Sequence, residues 1–248
     1  MKIAIITAMP EETRALLKRF ASAKKFACGN LTVYGFDFGI HKIILCEGGI
    51  GFENAARTAE TIIRETVPDM LVSSGFCGGI APDLKVGDVV VATTVAFVSG
   101  TVAEEVPVKI PASCGDFVAR QAADGSRVFG GLFAGTQYIM SKTRLAALLP
   151  PGSQFQVVEM ESAAVATVAM KNGIQFAGIR AVSDPFDENL EFSMDEFCDK
   201  QMRIRIPLVL LTAIRKPRII PQLLRLAGNS RIAGASLGKA VEQFLVFV

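Results

Sequence analysis

Glu159 and Glu161 stand two residues apart in the stretch Val-Val-Glu-Met-Glu-Ser-Ala-Ala, residues 157–164. The segment 154–158 reads as the end of an extended run, and Ser162–Met170 reads as an alanine-rich helix closed by Asn172-Gly173. In an extended chain, residues two apart point to the same side. Carboxylates beside an apolar strand are costly to bury without partners, and a strand-to-helix junction is where open α/β sheets hold ligands. Acids near a helix start also suit its dipole, so this stretch alone leaves a ligand site and a favourable helix start equally open. Glu11 and Glu12 follow the apolar run Lys2–Thr7, and Asp184 follows the apolar run Phe176–Val182. Pro185 favours an extended Asp184. Glu12, Glu161 and Asp184 thus form a constellation at strand ends. Carboxyl groups so placed can hold hydroxyls, take a proton from an attacking group, or give one to a leaving group.

The elements that must position them follow from the apolar pattern. Lys2–Thr7, Met70–Ser74 and Phe176–Val182 are continuous apolar runs and read as buried strands. Leu31–Phe38 and Lys42–Glu47 read as a strand pair, and Val86–Ala92 and Gly130–Thr136 as further strands. Pro10 suits the first turn of a helix that turns Leu16, Leu17 and Phe20 inward. The turn Gly48-Gly49-Ile50-Gly51 opens a helix over Glu53–Thr66. Gly75-Phe76-Cys77-Gly78-Gly79 reads as a turn closing a strand, with glycines that let the backbone approach a ligand. Residues 99–127 read as loop-rich and uninformative, and two helices are expected over Glu196–Ile214 and Ile219–Phe244. Strands alternating with helices give an α/β fold: one domain with a central, mostly parallel or mixed sheet flanked by helices. A basic helical extension is expected over about 201–248.

Composition narrows the function classes. The chain has 248 residues, half of them hydrophobic, and a net charge of +2. Residues 201–248 carry eight Lys/Arg against Glu242, a local excess of +7. That basic tail, beside the apolar run Ile206–Ile214, raises contact with an anionic membrane surface. Nucleic-acid binding is disfavoured: the chain has no Trp, and its tyrosines are Tyr34 and Tyr138. The odd set of cysteines at 28, 46, 77, 114 and 198, with no C-x-x-C, suggests neither a disulfide framework nor a zinc site. A single histidine, His41, leaves no histidine-rich metal site. Neither metal nor cofactor is expected. The opening Met-Lys-Ile-Ala-Ile-Ile is too short for a signal h-region, so the expected compartment is the reducing cytoplasm. Cys77 has no neighbouring histidine in sequence to activate it and reads as packing.

The segments Ala-Met-Pro-Glu-Glu, Gly-Gly-Ile-Gly, Ser-Gly-Phe-Cys-Gly-Gly-Ile-Ala-Pro-Asp-Leu-Lys-Val-Gly-Asp-Val-Val, Val-Glu-Met-Glu-Ser-Ala-Ala-Val-Ala and Arg-Ala-Val-Ser-Asp occur in that order. Together they resemble the nucleoside phosphorylase and nucleosidase superfamily over about residues 1–190. The nearest branch is the 5′-methylthioadenosine/S-adenosylhomocysteine nucleosidases. The tail, with Arg-Lys-Pro followed by Pro-Gln-Leu-Leu-Arg-Leu-Ala, looks more like the hopanoid-associated phosphorylase branch. The resemblance implies that Glu161 grips the ribose hydroxyls while Met160 packs the sugar. It implies that Asp184, held by Ser183, serves purine N7, and that Glu12 orients or activates the attacking water. Ile50 and the Gly75, Phe76, Cys77, Gly78 turn would line sugar and base, and Arg180 matches an arginine before the Ser-Asp pair. It implies a nucleoside substrate and a homodimer. The chemistry is coherent by itself. A purine leaves as an anion unless N7 gains a proton, and an oxocarbenium-like sugar is favoured by a carboxylate on its hydroxyls.

This sequence departs from the pattern in three places. Phe76 stands where the nucleosidases carry a small or hydroxyl residue, Ser73 and Ser74 stand where hexameric phosphorylases carry an arginine, and Gln137–Leu148 poorly matches the nucleosidase base-binding loop. Hydrolysis of an adenine-type nucleoside is the leading expectation, since Glu12 beside the attack point suits water and repels phosphate. Arg14, two residues beyond Glu12, and the Gly48–Gly51 turn leave phosphate as an alternative acceptor, with an adenosyl-lipid as its substrate. A nucleoside-binding protein without turnover is the remaining alternative.

Overall fold

Lys2–Thr7 forms β1, and its side chains decide where the core layers lie. Successive strand residues point to opposite faces. Ile3 and Ile5 enter one layer with Leu16, Phe20, Leu237 and Phe244. Ala4 and Ile6 enter the other with Ala59, Ile62 and Val165. Burial on both faces is why the run is apolar throughout rather than alternating. The computed structural model describes residues 1–138, 140–186, 212 and 215–248.

After β1 come α1 (Pro10–Leu17), β2 (Lys24–Cys28), β3 (Leu31–Phe38), β4 (His41–Glu47), α2 (Phe52–Thr66), β5 (Met70–Gly79), β6 (Val89–Ser99) and β7 (Val102–Glu105). Then follow α3 (Ala112–Ala123), β8 (Val128–Thr136), α4 (Lys142–Leu148), β9 (Val157–Glu159), α5 (Ser162–Lys171), β10 (Gln175–Asp184), a 3-10 turn at Pro217–Ile219 and α6 (Ile220–Phe247). Among the described residues these strands make one mixed, ten-stranded sheet. Its order is β10-β6-β8-β9-β5-β1-β4-β3-β2, with β7 on β6. Because β10 also pairs with β5, the strands β5, β10, β6, β8 and β9 close into a ring, and β1, β4, β3 and β2 extend from it as a wing.

The pairing of β5 leaves a gap that matters for the site. On one side β5 pairs in parallel with β10 from Met70 to Gly78. On the other side β1 accompanies it only to Ser73, and β9 joins only at Gly78. Backbone groups that face this gap need partners other than a strand.

The structure differs from the sequence reading at several points. Residues 75–79 are not a turn; they continue β5 in register with β10. Residues 99–127 are not simply loop: they hold β7 and α3, whose inward side is only Cys114, Phe117 and Gln121. β6 begins at Val89 because Lys85–Asp88 makes a turn in which the Asp88 carboxylate accepts from the Lys85 N–H at 2.7 Å. β2 is an edge strand with four exposed residues of five, so no alternation announces it. The helix expected over 196–214 lies outside the described residues, Thr212 apart. α6 packs against α1 and α3: Phe244 lies edge-on to Phe117 of α3 at 5.6 Å between centroids, and Arg19, just past the α1 end, pairs with Glu242. Among the described residues, no helix is long and apolar enough to cross a membrane.

Candidate active site

The loop from β1 to α1 carries Glu12 into the β5 gap. Glu12 Oε2 accepts hydrogen bonds from the N–H groups of Ala8 at 2.8 Å and Met9 at 3.0 Å, which closes the start of α1. Glu12 Oε1 accepts from the Phe76 N–H at 2.8 Å, the group that the gap leaves without a strand partner. A Cβ at Gly75 would lie 2.5 Å from Glu12 Oε1 and 2.5 Å from Arg180 Nη1, so only glycine fits there.

Arg180, on β10 opposite Gly75, is 1% exposed. Its Nη2 donates to Glu159 Oε2 at 2.6 Å, Ser73 Oγ at 3.0 Å and Ser162 Oγ at 3.2 Å. Its Nη1 donates to the Phe76 carbonyl at 3.2 Å. Glu159 Oε2 also accepts from the N–H groups of Glu161 at 2.9 Å and Ser162 at 2.7 Å, so Glu159 closes the start of α5 while gripping Arg180. Glu161 is the residue that caps α5. One of its oxygens lies 3.4 Å from Arg180 Nη2 and the other accepts from the Gly51 N–H at 2.8 Å. Gly51, with φ of 95°, is the cap of α2, so two helix N-termini meet at this carboxylate, both favouring negative charge.

Glu12, Glu159 and Glu161 surround one guanidinium in a buried space. Burial raises the proton affinity of Glu12, against Arg180 and the Phe76, Met9 and Ala8 N–H groups, which lower it. Burial likewise pushes Glu161 up to about 7, opposed by Arg180 and reinforced by Glu159 and Glu12. Burial disfavours the Arg180 charge, but the carboxylates outweigh it and hold Arg180 as a cation.

The ends of β5 and β10 carry the remaining groups. Asp184 is opposite Gly78, and a Cβ on Gly78 would lie 2.8 Å from Asp184 Oδ2. Ser183 Oγ donates to Asp184 Oδ1 at 3.1 Å and lies 3.4 Å from the Cys77 carbonyl. Lys142 Nζ lies 2.7 Å from Asp184 Oδ2. The Cys77 thiol is pushed well above its usual range by burial, so it is a neutral packing group.

Glu12, Gly75, Phe76, Glu161 and Arg180 are therefore in one cluster, and Cys77, Gly78, Ser183 and Asp184 in an adjoining one. The Phe76 ring packs in the core layer beneath α1 and α6; its N–H and C=O are what face the cluster. Ile50 and Met160 are half-buried at the α2 and α5 starts. Arg14 stays at the surface with Glu11, 3.5 Å away and 68% exposed. The sequence reading named Glu159 and Ser73 without assigning them to the site, and it missed Ser162 and Lys142. The Glu-x-Glu spacing was the available signal for Glu159; Lys142 belongs to no motif.

Comparison with known proteins gives the family and the fold. A profile described as the phosphorylase superfamily matches residues 2–215. A 5′-methylthioadenosine/S-adenosylhomocysteine nucleosidase of Bacillus cereus strain B4264 is 32% identical over 224 residues, covering 81% of this chain and 93% of the relative. The crystal structure of the Neisseria meningitidis nucleosidase of that name, in complex with methylthio-immucillin-A, superposes with a TM-score of 0.73 over 98% of each chain at 24% identity. The native structure of futalosine hydrolase from Helicobacter pylori superposes with a TM-score of 0.74 over 100% of this chain and 98% of its own at 17% identity, a likeness of fold. With Glu159 and Glu161 paired to Arg180 and the profile spanning most of its length, the chain belongs to the phosphorylase superfamily.

Proposed function

We propose that the protein hydrolyses the N-glycosidic bond of a purine nucleoside. The observation that carries this is the placement of Glu12 and Glu161 around Arg180, with Asp184 further along the same β10 edge. Arg180 and Asp184 are four residues apart on β10, roughly 13 Å of strand, a span that a nucleoside and inward-reaching carboxyl groups can fill. Glu161 grips the ribose hydroxyls. As the sugar gains positive charge, that carboxylate stabilises the transition state more than the ground state. Asp184, steadied by Ser183, protonates or hydrogen-bonds N7 of the leaving purine. Glu12 orients the attacking water and takes its proton; burial raises its proton affinity, which makes it a stronger base. Met160, Ile50 and the backbone of Gly75–Gly78 line the sugar and base.

Water is favoured over phosphate by the charges present. Arg180 already serves Glu159, Glu161, Ser73, Ser162 and the Phe76 carbonyl, and the Gly51 N–H is taken by Glu161. An entering phosphate would meet Glu12 and Glu161 with both terminal nitrogens of Arg180 already engaged, and phosphate sites favour bidentate arginine. The name of the Bacillus cereus relative suggests adenine nucleosides with a 5′-thioether as first substrates. Buried thiols at Cys28, Cys46, Cys77 and Cys114 suit a reducing, cytoplasmic setting.

The test is release of free base from 5′-methylthioadenosine, adenosine and inosine, followed by chromatography. Wild type should release base from at least one, and Asp184→Asn should lower kcat about 10²–10⁴-fold while melting as wild type does. Tight nucleoside binding without base release would sink this reading and favour the binding protein.

A further inference from the structure

Lys142 directs its whole ammonium at Asp184 and Pro185. Its Nζ lies 2.7 Å from Asp184 Oδ2, 3.0 Å from the Asp184 carbonyl and 2.6 Å from the Pro185 carbonyl. An ammonium carries three N–H donors, so these acceptors on consecutive residues satisfy it completely. The side chains are 14% and 29% exposed. The pair therefore lies between core and water, where attraction exceeds its open-surface value. Gly78 keeps the space clear: a Cβ there would press on Asp184 Oδ2 and lie 3.1 Å from Lys142 Cε. Lys142 is the first residue of α4, whose start is closed by Ser141 Oγ accepting from the Arg144 N–H. The cation is thus delivered from a capped helix start.

We propose that Lys142 is a positioning residue for the leaving base: it fixes the Asp184 carboxyl at the base edge and offsets the negative charge that settles there as the glycosidic bond breaks. This rests on the cleavage reading above. When C1′–N9 breaks, its electron pair goes to the purine. Asp184 enters this step as the neutral acid, its proton taken from solvent as the nucleoside binds; its O–H bond breaks and an N7–H bond forms, so the base leaves neutral and the charge returns to the Asp184 carboxylate. A cation already in contact stabilises that charge where it develops, with no reorganisation at the moment of reaction. Without the cation the charge would fall on a half-buried carboxylate held by Ser183 alone, which is costly. Lys142 touches neither sugar nor base in this scheme and acts through Asp184.

The test uses Lys142→Met and Lys142→Arg in the full chain, with two substrates. One is the purine nucleoside that wild type cleaves. The other is 4-nitrophenyl β-D-ribofuranoside, whose phenolate leaves without a ring nitrogen to protonate. Lys142→Met should lower kcat on the purine nucleoside about 10–100-fold, somewhat less than loss of a fully buried donor, with KM changed less than about threefold. Lys142→Arg should recover most of that loss, and the nitrophenyl riboside should suffer much less than the purine. A kcat on purine within about threefold of wild type would overturn the proposal. Equal losses on both substrates would also overturn it, as the mark of a lysine that only supports the fold. If wild type releases no purine at all, the cleavage reading fails first, and that control separates the two failures.

Discussion

Glu161 shows how a single residue in this cluster is poised between two states. Its carboxyl lies 3.4 Å from Arg180, yet it is pushed up to about 7 from the ordinary 4.5, because burial and the charges of Glu159 and Glu12 outweigh one guanidinium. The folded protein therefore binds this proton more tightly than the unfolded chain. The resulting contribution to stability is complete below about pH 4.5 and is lost as the pH rises through about 7. Gripping two hydroxyls requires the opposite form, since an ionised carboxylate is acceptor-only. Catalytic efficiency should thus rise through a step centred near pH 7 while the melting temperature declines over the interval below it. In Glu161→Gln both steps should vanish, along with most of the affinity for nucleoside. A wild-type kcat/KM that is flat across that interval would exclude Glu161 as the titrating grip. At this scale the acids were legible because they end apolar runs; Lys142 was not, since its role depends on a contact with a residue 42 positions away.

The elements that aim these residues are held at close quarters. The first turn of α5 lies on β8 at Gly135, where a Cβ would come within 2.4 Å of the Ala163 Cβ and 3.2 Å of the Ala163 nitrogen. Gly135→Ala must push the start of α5, and with it Glu161 and the Glu159 cap. The expected result is a loss of about 1–3 kcal/mol in urea unfolding together with a fall in kcat. Gly115, within α3, is the control, because a Cβ there would meet nothing within 4 Å. Gly115→Ala should stabilise by up to about 1 kcal/mol through helix propensity and leave kcat unchanged. Unaltered activity in Gly135→Ala would mean that α5 shifts without moving the site. β1, β5 and β10 were legible as apolar runs. The glycines of 75–79 misled because glycine usually interrupts a strand; here they are retained inside β5, as Glu12, Arg180, Asp184 and Lys142 crowd its surface. α3 was hidden by its narrow apolar stripe, and β2 by its exposure at an edge.

Across the whole molecule, closure of the sheet is what assembles the site. β10 pairs with β5 on one side and β6 on the other, which brings the end of β9 with Glu159 against Arg180. No local pattern encodes that ring; it depends on pairings between segments far apart in sequence, as does the packing of α6 over α1 behind Glu12. The α/β class was therefore readable from alternation of elements, and the closed topology was not. The buried carboxylates and the engaged Nη1 and Nη2 of Arg180 also bear on the choice of acceptor. The most direct measurement is the sugar product of purine-nucleoside cleavage, followed by mass spectrometry with and without added inorganic phosphate. Attack by water predicts the free sugar in both cases, at the same rate. A sugar 1-phosphate that forms only when phosphate is present would contradict hydrolysis.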